Sequence, residues 1–299
     1  MPSWNQVLQE IQECRRVDAL DYIRRSYLGK LHDKRERNII CYYSGWLQKP
    51  GFTGVEIDDN DKNALMSAVH QLDRGKGLDL ILHTPGGQVA ATESLVHYLR
   101  TMFGSDIQAF VPQIAMSAGT MIACACQKIF MGKQSNLGPI DPQFSGIAAR
   151  EVLNEFRRAV EEIKEEPARI PLWQTIIGKY HPTFIGECEN AVAWAQEIVE
   201  RWLLEGMFQG RKDAKKQAER IVRELSDHSE LKSHSRHLHK EQCKEMGLEV
   251  VDLETDQELQ DLVLTVHHAF MHTFAHSPAI KIVENHLGIA TVINITIQK

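Results

Sequence analysis

An α/β architecture, a parallel sheet core flanked by helices, is what this 299-residue sequence predicts, and three observations carry it. Short apolar runs fall at 78–83, 107–112 and 128–131. Between them lie segments of about ten to fifteen residues with helical spacing of their apolar positions. The connections hold no spare residues. Strands of this kind joined by helices are the signature of right-handed βαβ units around a buried sheet.

Element by element, residues 3–30 show helical spacing (Val7, Leu8 and Ile11, then Leu20, Ile23 and Tyr27), which predicts an N-terminal helical arm over residues 1–35. The β-branched and aromatic run 38–47 reads as a strand, broken by Pro50-Gly51. Asp58-Asp59-Asn60-Asp61 offers a helix cap ahead of Leu65, Val69 and Leu72. Strand 78–83 precedes a helix over 88–103, strand 107–112 a helix over 117–127, and strand 128–131 a segment dense in turn formers, 135–143. Helices are expected at 148–165, 187–205, 213–226 and 256–274, with a loop at 178–184 and a histidine-dense stretch, His228 to His239. Runs 280–283 and 290–295 close the chain as a hairpin around Leu287-Gly288.

Composition narrows the function classes. At 43% hydrophobic and 25% charged the chain has the balance of an ordinary globular protein with ample core. A net charge of −6 argues against a general nucleic-acid binder, and the basic run 211–216 reads as a solvated helix face. No stretch approaches the ~18 apolar residues of a membrane span. The first residues lack the basic start and apolar centre of a signal peptide, so a cytoplasmic protein is expected. The cysteines at 14, 41, 124, 126, 188 and 243 sit mostly in apolar contexts, as reduced core residues do. Cys124 and Cys126 stand two apart on a helix and point to different sides, which disfavours a metal pair.

Chemistry concentrates at two strand ends. Ser117 follows an apolar strand and precedes Ala118, Gly119 and Thr120, small residues that leave room for a carbonyl to reach its hydroxyl. The helix it opens offers the Ala118 N–H and a positive local potential. A serine there is equally suited to be a plain N-cap. Gly86 and Gly87, after Thr84-Pro85, make either a simple turn or a stretch of backbone amides that an acyl oxygen can approach. Both features end strands at their carboxyl ends, where open α/β sheets place ligands.

Three segments then resemble the serine dehydrogenase proteinase family, in family order: residues 83–87 (His-Thr-Pro-Gly-Gly), residues 111–123 around Ala115-Met116-Ser117-Ala118-Gly119-Thr120, and residues 131–143 ending Leu137-Gly138-Pro139-Ile140-Asp141-Pro142-Gln143. That family sits in the Clp-protease/crotonase fold group, alongside signal peptide peptidase A type enzymes. The resemblance is strongest over 78–143, weaker over 187–248, and includes 281–286. It implies a Clp/crotonase-like core with an extended C-terminal helical region, a single domain over 36–299. It also implies a serine endopeptidase forming an acyl-enzyme on Ser117, with Gly86, Gly87 and the Ala118 N–H as oxyanion hole. No metal or cofactor is expected, and no G-x-G-x-x-G opens a βαβ unit, so dehydrogenase chemistry is not implied for the chain itself.

The fold group uses a Ser-His-Asp triad or a Ser-Lys dyad. A lysine base must be neutral, hence buried away from counter-charges. Lys179, after Ile176-Ile177-Gly178, is the expected partner, placed roughly where the peptidase A enzymes carry theirs. His181 and His234 are alternatives, although Ser233-His234-Ser235 departs from the family's threonine-histidine-aspartate, and Lys133 ranks lower. His268, His272 and His276 share a helical spacing, but Ala269 breaks the H-E-x-x-H arrangement and the better reading is a packing or subunit face. The expected substrate is a peptide or unfolded protein, and the expected assembly a homo-oligomer built on trimers, with neither nucleic acid nor a membrane span involved. The rival readings are a crotonase-like acyl-CoA enzyme, which would not depend on Ser117, and a catalytically silent scaffold.

Overall fold

Period-two alternation along the strands divides the molecule into two apolar layers, one on each face of a central sheet. A computed structural model describes residues 4–144, 146–226 and 236–295. Its elements in chain order are α1 (Trp4–Glu13), α2 (Ala19–Arg35), β1 (Asn38–Ser44), α3 (Asp61–Val69), β2 (Leu78–His83), α4 (Val89–Phe103), β3 (Ile107–Val111), β4 (Ile114–Ala115), α5 (Ala118–Cys124), β5 (Lys128–Met131), β6 (Asn136–Leu137), β7 (Gln143–Phe144) and β8 (Ile147–Ala148). The chain continues through α6 (Ala149–Glu165), α7 (Ile170–Ile177), α8 (Phe184–Glu205), α9 (Ala214–Ser226), β9 (Leu238–His239), α10 (Lys240–Met246), β10 (Val250–Asp252), α11 (Gln257–His276), β11 (Ala279–Asn285) and β12 (Ala290–Asn294).

The sheet runs β10-β5-β3-β2-β1-β11-β12. Strands β10 to β1 are mutually parallel, and the β11–β12 hairpin is antiparallel against β1. Every residue of β1, β2 and β11 is buried, which accounts for their near-continuous apolar runs. Ile40, Tyr42, Leu80, Leu82, Ala109 and Ile129 face the layer built from α3, α4, α5, α8 and α9. Their sequence neighbours Ile39, Cys41, Tyr43, Ile81, Phe110 and Phe130 face the opposite layer of α2 and α11. Such an alternation over helices on both faces is a doubly covered α/β sheet, as the sequence predicts.

Four features beyond the sequence reading have local causes. Residues 4–35 of the expected N-terminal helical arm form two helices, and α2 lies on α11 against the sheet, where Leu28 and Leu31 join the core. Residues 170–177 are helical, opened by Pro171 in the first turn and holding only Trp173 buried. Strands β4, β6 and β9 are two-residue pieces forming a small separate sheet, too short to leave a periodic signal. The edge strand β10 pairs with β5 over three residues and was equally invisible to periodicity.

Candidate active site

The chain reverses twice at the carboxyl ends of β2 and β3, and backbone pairing brings the two reversals together. Thr84 N–H donates to Ile114 O (3.2 Å) and Met116 N–H donates to Thr84 O (3.0 Å), forming a one-residue parallel bridge between Thr84 and Ala115. One residue past each partner of that bridge lie Pro85 and Met116, and next after those come Gly86 and Ser117. The approach is so close that a Cβ on Gly86 would stand 2.8 Å from both Met116 O and Ser117 Cβ. Gly86 also holds φ = 101°, which a side chain would resist. Glycine is therefore required at 86 on two independent grounds.

Ser117 itself sits at φ = 50° and ψ = −114°, a region that L residues rarely occupy. It precedes α5 in the N-cap position, yet its side chain makes no capping bond, so the plain N-cap reading does not describe it. A strained serine between a strand and a helix, its hydroxyl released from the backbone, is the geometry of a nucleophile elbow. The elbow is braced from behind. Thr120 Oγ1 donates to Ala115 O (2.9 Å) and accepts from Gly138 N–H (2.9 Å), which ties the turn segment after β6 to the back of α5.

The glycine turn is held from its other side by residues 55–58. Ile57 N–H donates to Gly86 O (2.8 Å), and Gln88 N–H donates to Ile57 O (2.9 Å). A Cβ at Gly87 would lie 2.3 Å from Ile57 N and O, so only glycine allows this approach. The pairing turns the Gly87 N–H away from Ile57. Gly86 N–H, by contrast, donates to Thr84 Oγ1 (3.1 Å). Among the described residues no acceptor meets the amides of Gly87 and Ala118; Gly87 lines the same cleft as Ser117, and Ala118 follows Ser117 as the first residue of α5. These two amides, rather than Gly86, are the donors an oxyanion could use.

Ser117 opens into a cleft of ≈ 450 Å³, with Gly86, Gly87 and Gln88 on one wall and Ile140, Phe144 and Trp194 on another. The apolar wall comes from the turn after β6, from β7 and from α8, and Trp194 is half-exposed there at 40%. Among the described residues lining this cleft there is neither a lysine nor a histidine.

The candidate bases lie elsewhere. Lys179 is exposed in the turn after α7, not buried as a neutral lysine would need to be. The physical reason is that α7 is anchored only through Trp173, so the turn beyond it faces solvent. His181, in the same turn, is exposed and its Nε2 lies 3.7 Å from Glu187. Lys133 is exposed and its backbone N–H bonds Glu254 Oε1. His234 lies outside the described residues. Of the C-terminal histidines, His268 and His272 pack against the Trp4 ring and His272 Nε2 meets Trp4 O (3.0 Å), so α11 uses them to seat α1. No group of three or more metal-ligating side chains is placed to hold an ion among the described residues. Cys124 and Cys126 are fully buried, and burial pushes the Cys126 thiol up to about 12, an inert core setting.

Sequence reasoning singled out Ser117 and the glycine turn as candidates but missed the segment 55–58 that braces the turn. Its signal was faint: Val55 and Ile57 alternate with polar residues over too few positions to read as a strand.

A sequence model of the ClpP-like SDH-type serine proteinases matches residues 10–277, from the last turn of α1 to the end of α11. Two uncharacterized proteins of Methanocaldococcus jannaschii are also similar. MJ0137 is 32% identical over 148 residues, 48% of this chain and 49% of that protein. MJ1495 is 31% identical over 117 residues, 39% of each. The matched part thus spans half or less of the length of these curated relatives.

Proposed function

The chain belongs to the ClpP-like SDH-type serine proteinase family, and from that premise we propose that it is a serine endopeptidase with Ser117 as its nucleophile. The observation that carries the proposal is the conformation of Ser117, strained at φ = 50° without a capping bond, facing the cleft beside two unpaired amides. In the reaction Ser117 Oγ attacks the scissile carbonyl carbon and its proton passes to a base. The carbonyl oxygen becomes an oxyanion, which accepts from the N–H groups of Gly87 and Ala118. Collapse of this intermediate expels the amine, which takes up the proton, and leaves an ester on Ser117 for water to hydrolyse. The apolar wall of Ile140, Phe144 and Trp194 suits an extended peptide with an apolar side chain.

The base is identified by replacement. Lys179→Met, His181→Gln and His234→Gln are each compared with the intact protein in the pH dependence of acylation; the base is the residue whose loss removes the ascending limb. The peptidase reading itself is tested on unfolded casein: the intact chain releases peptides and Ser117→Ala releases none. Equal hydrolysis by both would reject it. One observation favours a second reading, that of a silent scaffold: no described lysine or histidine lines the cleft. Absence of hydrolysis from a correctly assembled intact protein would select it. We propose further that the protein is cytoplasmic and a trimer-based homo-oligomer, and light scattering of the purified chain measures its assembled mass. No helix among the described residues is long and apolar enough to cross a membrane.

A further inference from the structure

Below the segment that braces the glycine turn lies a buried ion pair that the acyl-transfer chemistry does not use. Lys281 on β11 and Asp61 at the start of α3 are each 0% exposed, with Lys281 Nζ at 2.9 and 3.0 Å from the two Asp61 oxygens. Tyr42 on β1 donates its hydroxyl to Asp61 Oδ2 (2.6 Å). Replacing a buried pair by apolar residues of similar volume is often neutral or stabilising, so the presence of this one is not explained by stability alone.

Its remaining bonds go to one place. Lys281 Nζ donates to Glu56 O (2.6 Å), and Asp61 Oδ2 accepts from Asp58 N–H (3.0 Å). Ser44, the last residue of β1, adds a bond from its hydroxyl to Val55 O (2.6 Å). Backbone groups of residues 55, 56 and 58 are therefore fastened to the sheet. Residue 57 between them keeps both its N–H and its carbonyl for Gly86 O and Gln88 N–H. The chain of contacts runs without a gap from β1 and β11, through 55–58, to the peptide that carries the Gly87 N–H.

We infer that Lys281, Asp61 and Tyr42 are positioning residues that set the Gly87 amide at the oxyanion site by fixing residues 55–58. This rests on the reading of Ser117 as nucleophile and extends it to groups that never touch substrate. The charges suit the task. A lysine ammonium donates in three directions and a carboxylate accepts from several donors, so one pair can fasten two backbone groups and a tyrosine at once. An apolar pair could fill the same volume but could not fasten a backbone carbonyl.

The test replaces both charges together, Lys281→Met with Asp61→Leu, which leaves no unpaired ion in the core, and adds Tyr42→Phe as a milder change. Two readings are taken: the rate of Ser117 labelling by a fluorophosphonate, and amide hydrogen exchange of the peptides covering 55–58 and 84–90. The double variant is expected to label about 100-fold more slowly, the effect of losing one oxyanion donor. Both peptides are expected to exchange faster, while 250–252 at the far sheet edge exchanges as before. Tyr42→Phe is expected to shift both readings in the same direction by a smaller factor, and it carries the test if the double variant does not fold. On peptide substrates kcat falls while KM holds, a split that general loosening of the fold would not give. Labelling at the original rate would overturn the inference. If the intact protein does not label at all, the Ser117 reading fails, and the exchange measurement still decides the network: unchanged protection of 84–90 overturns it and faster exchange supports it.

Discussion

Strand β11 carries two buried ion pairs, three residues apart, that point to opposite faces of the sheet and serve different ends. On one face Glu284 meets Arg24 of α2, both 0% exposed, and Arg24 also donates to Thr273 of α11 (3.0 Å) while Arg25 adds a bond to Glu284 (2.7 Å). That network ties a helical layer to the sheet, and none of its residues lines the Ser117 cleft. On the other face Lys281 and Asp61 bond backbone groups of the segment beside the glycine turn. The same device, a desolvated charge pair on one strand, fastens a helical layer on one side and the backbone segment beside the glycine turn on the other. What distinguishes them is the partner beyond the pair: side chains of α2 and α11 in the first case, main chain of 55–58 in the second.

The comparison can be broken or sharpened in order of expected effect. Ser117→Ala removes the group on which the second face depends; peptide release should fall by at least about 10³-fold with the urea midpoint unchanged. Loss of stability without loss of hydrolysis would remove the premise. Arg24→Met leaves Glu284 short of its main partner in the core and should cost about 3–5 kcal/mol in urea unfolding, with the folded fraction labelling at the original rate. A slower label in a stable Arg24→Met protein would erase the distinction between the two pairs. Gly87→Ala drives a Cβ to 2.3 Å from the Ile57 backbone and should copy the loss of Lys281 and Asp61, slowing acylation about 100-fold.

The smallest effect is one of pH. Burial holds His83, behind the glycine turn, down to about 3 against an ordinary value near 6.5. A histidine depressed on folding binds a proton more readily in the unfolded chain. Its contribution is therefore complete above about pH 6.5 and lost as the pH falls toward 3. From about pH 6.5 down to about pH 5 the His83 share of the loss should be about 2 kcal/mol, and His83→Leu should reduce the slope by that share, while His267 and His286, also held down by burial, keep the rest.

How far the sequence revealed this arrangement can be judged from particular residues. The parallel strands β1, β2, β3 and β5 were legible because each is mostly apolar and they are separated by segments with helical periodicity. Ser117 and the glycines were legible because small residues at two strand ends are unusual and stand in a family order. Residues 55–58 and the Lys281–Asp61 pair were not. Asp61 looked like part of a capping cluster, Asp58 to Asp61, whereas its side chain turns into the core to meet a lysine 220 residues away. A bond of that sequence separation leaves no local pattern. Lys179 illustrates the reverse error. Its apolar sequence neighbours Ile176 and Ile177 suggested burial, but α7 buries only Trp173 and leaves the following turn in solvent.

The central claim, that the strained residue at the head of α5 is a nucleophile, is tested most directly by treating the intact protein with a fluorophosphonate and locating the adduct by peptide mass spectrometry. The adduct is expected on Ser117 and absent from the Ser117→Ala protein. An intact protein that carries no adduct, or carries it on another serine, would contradict the account.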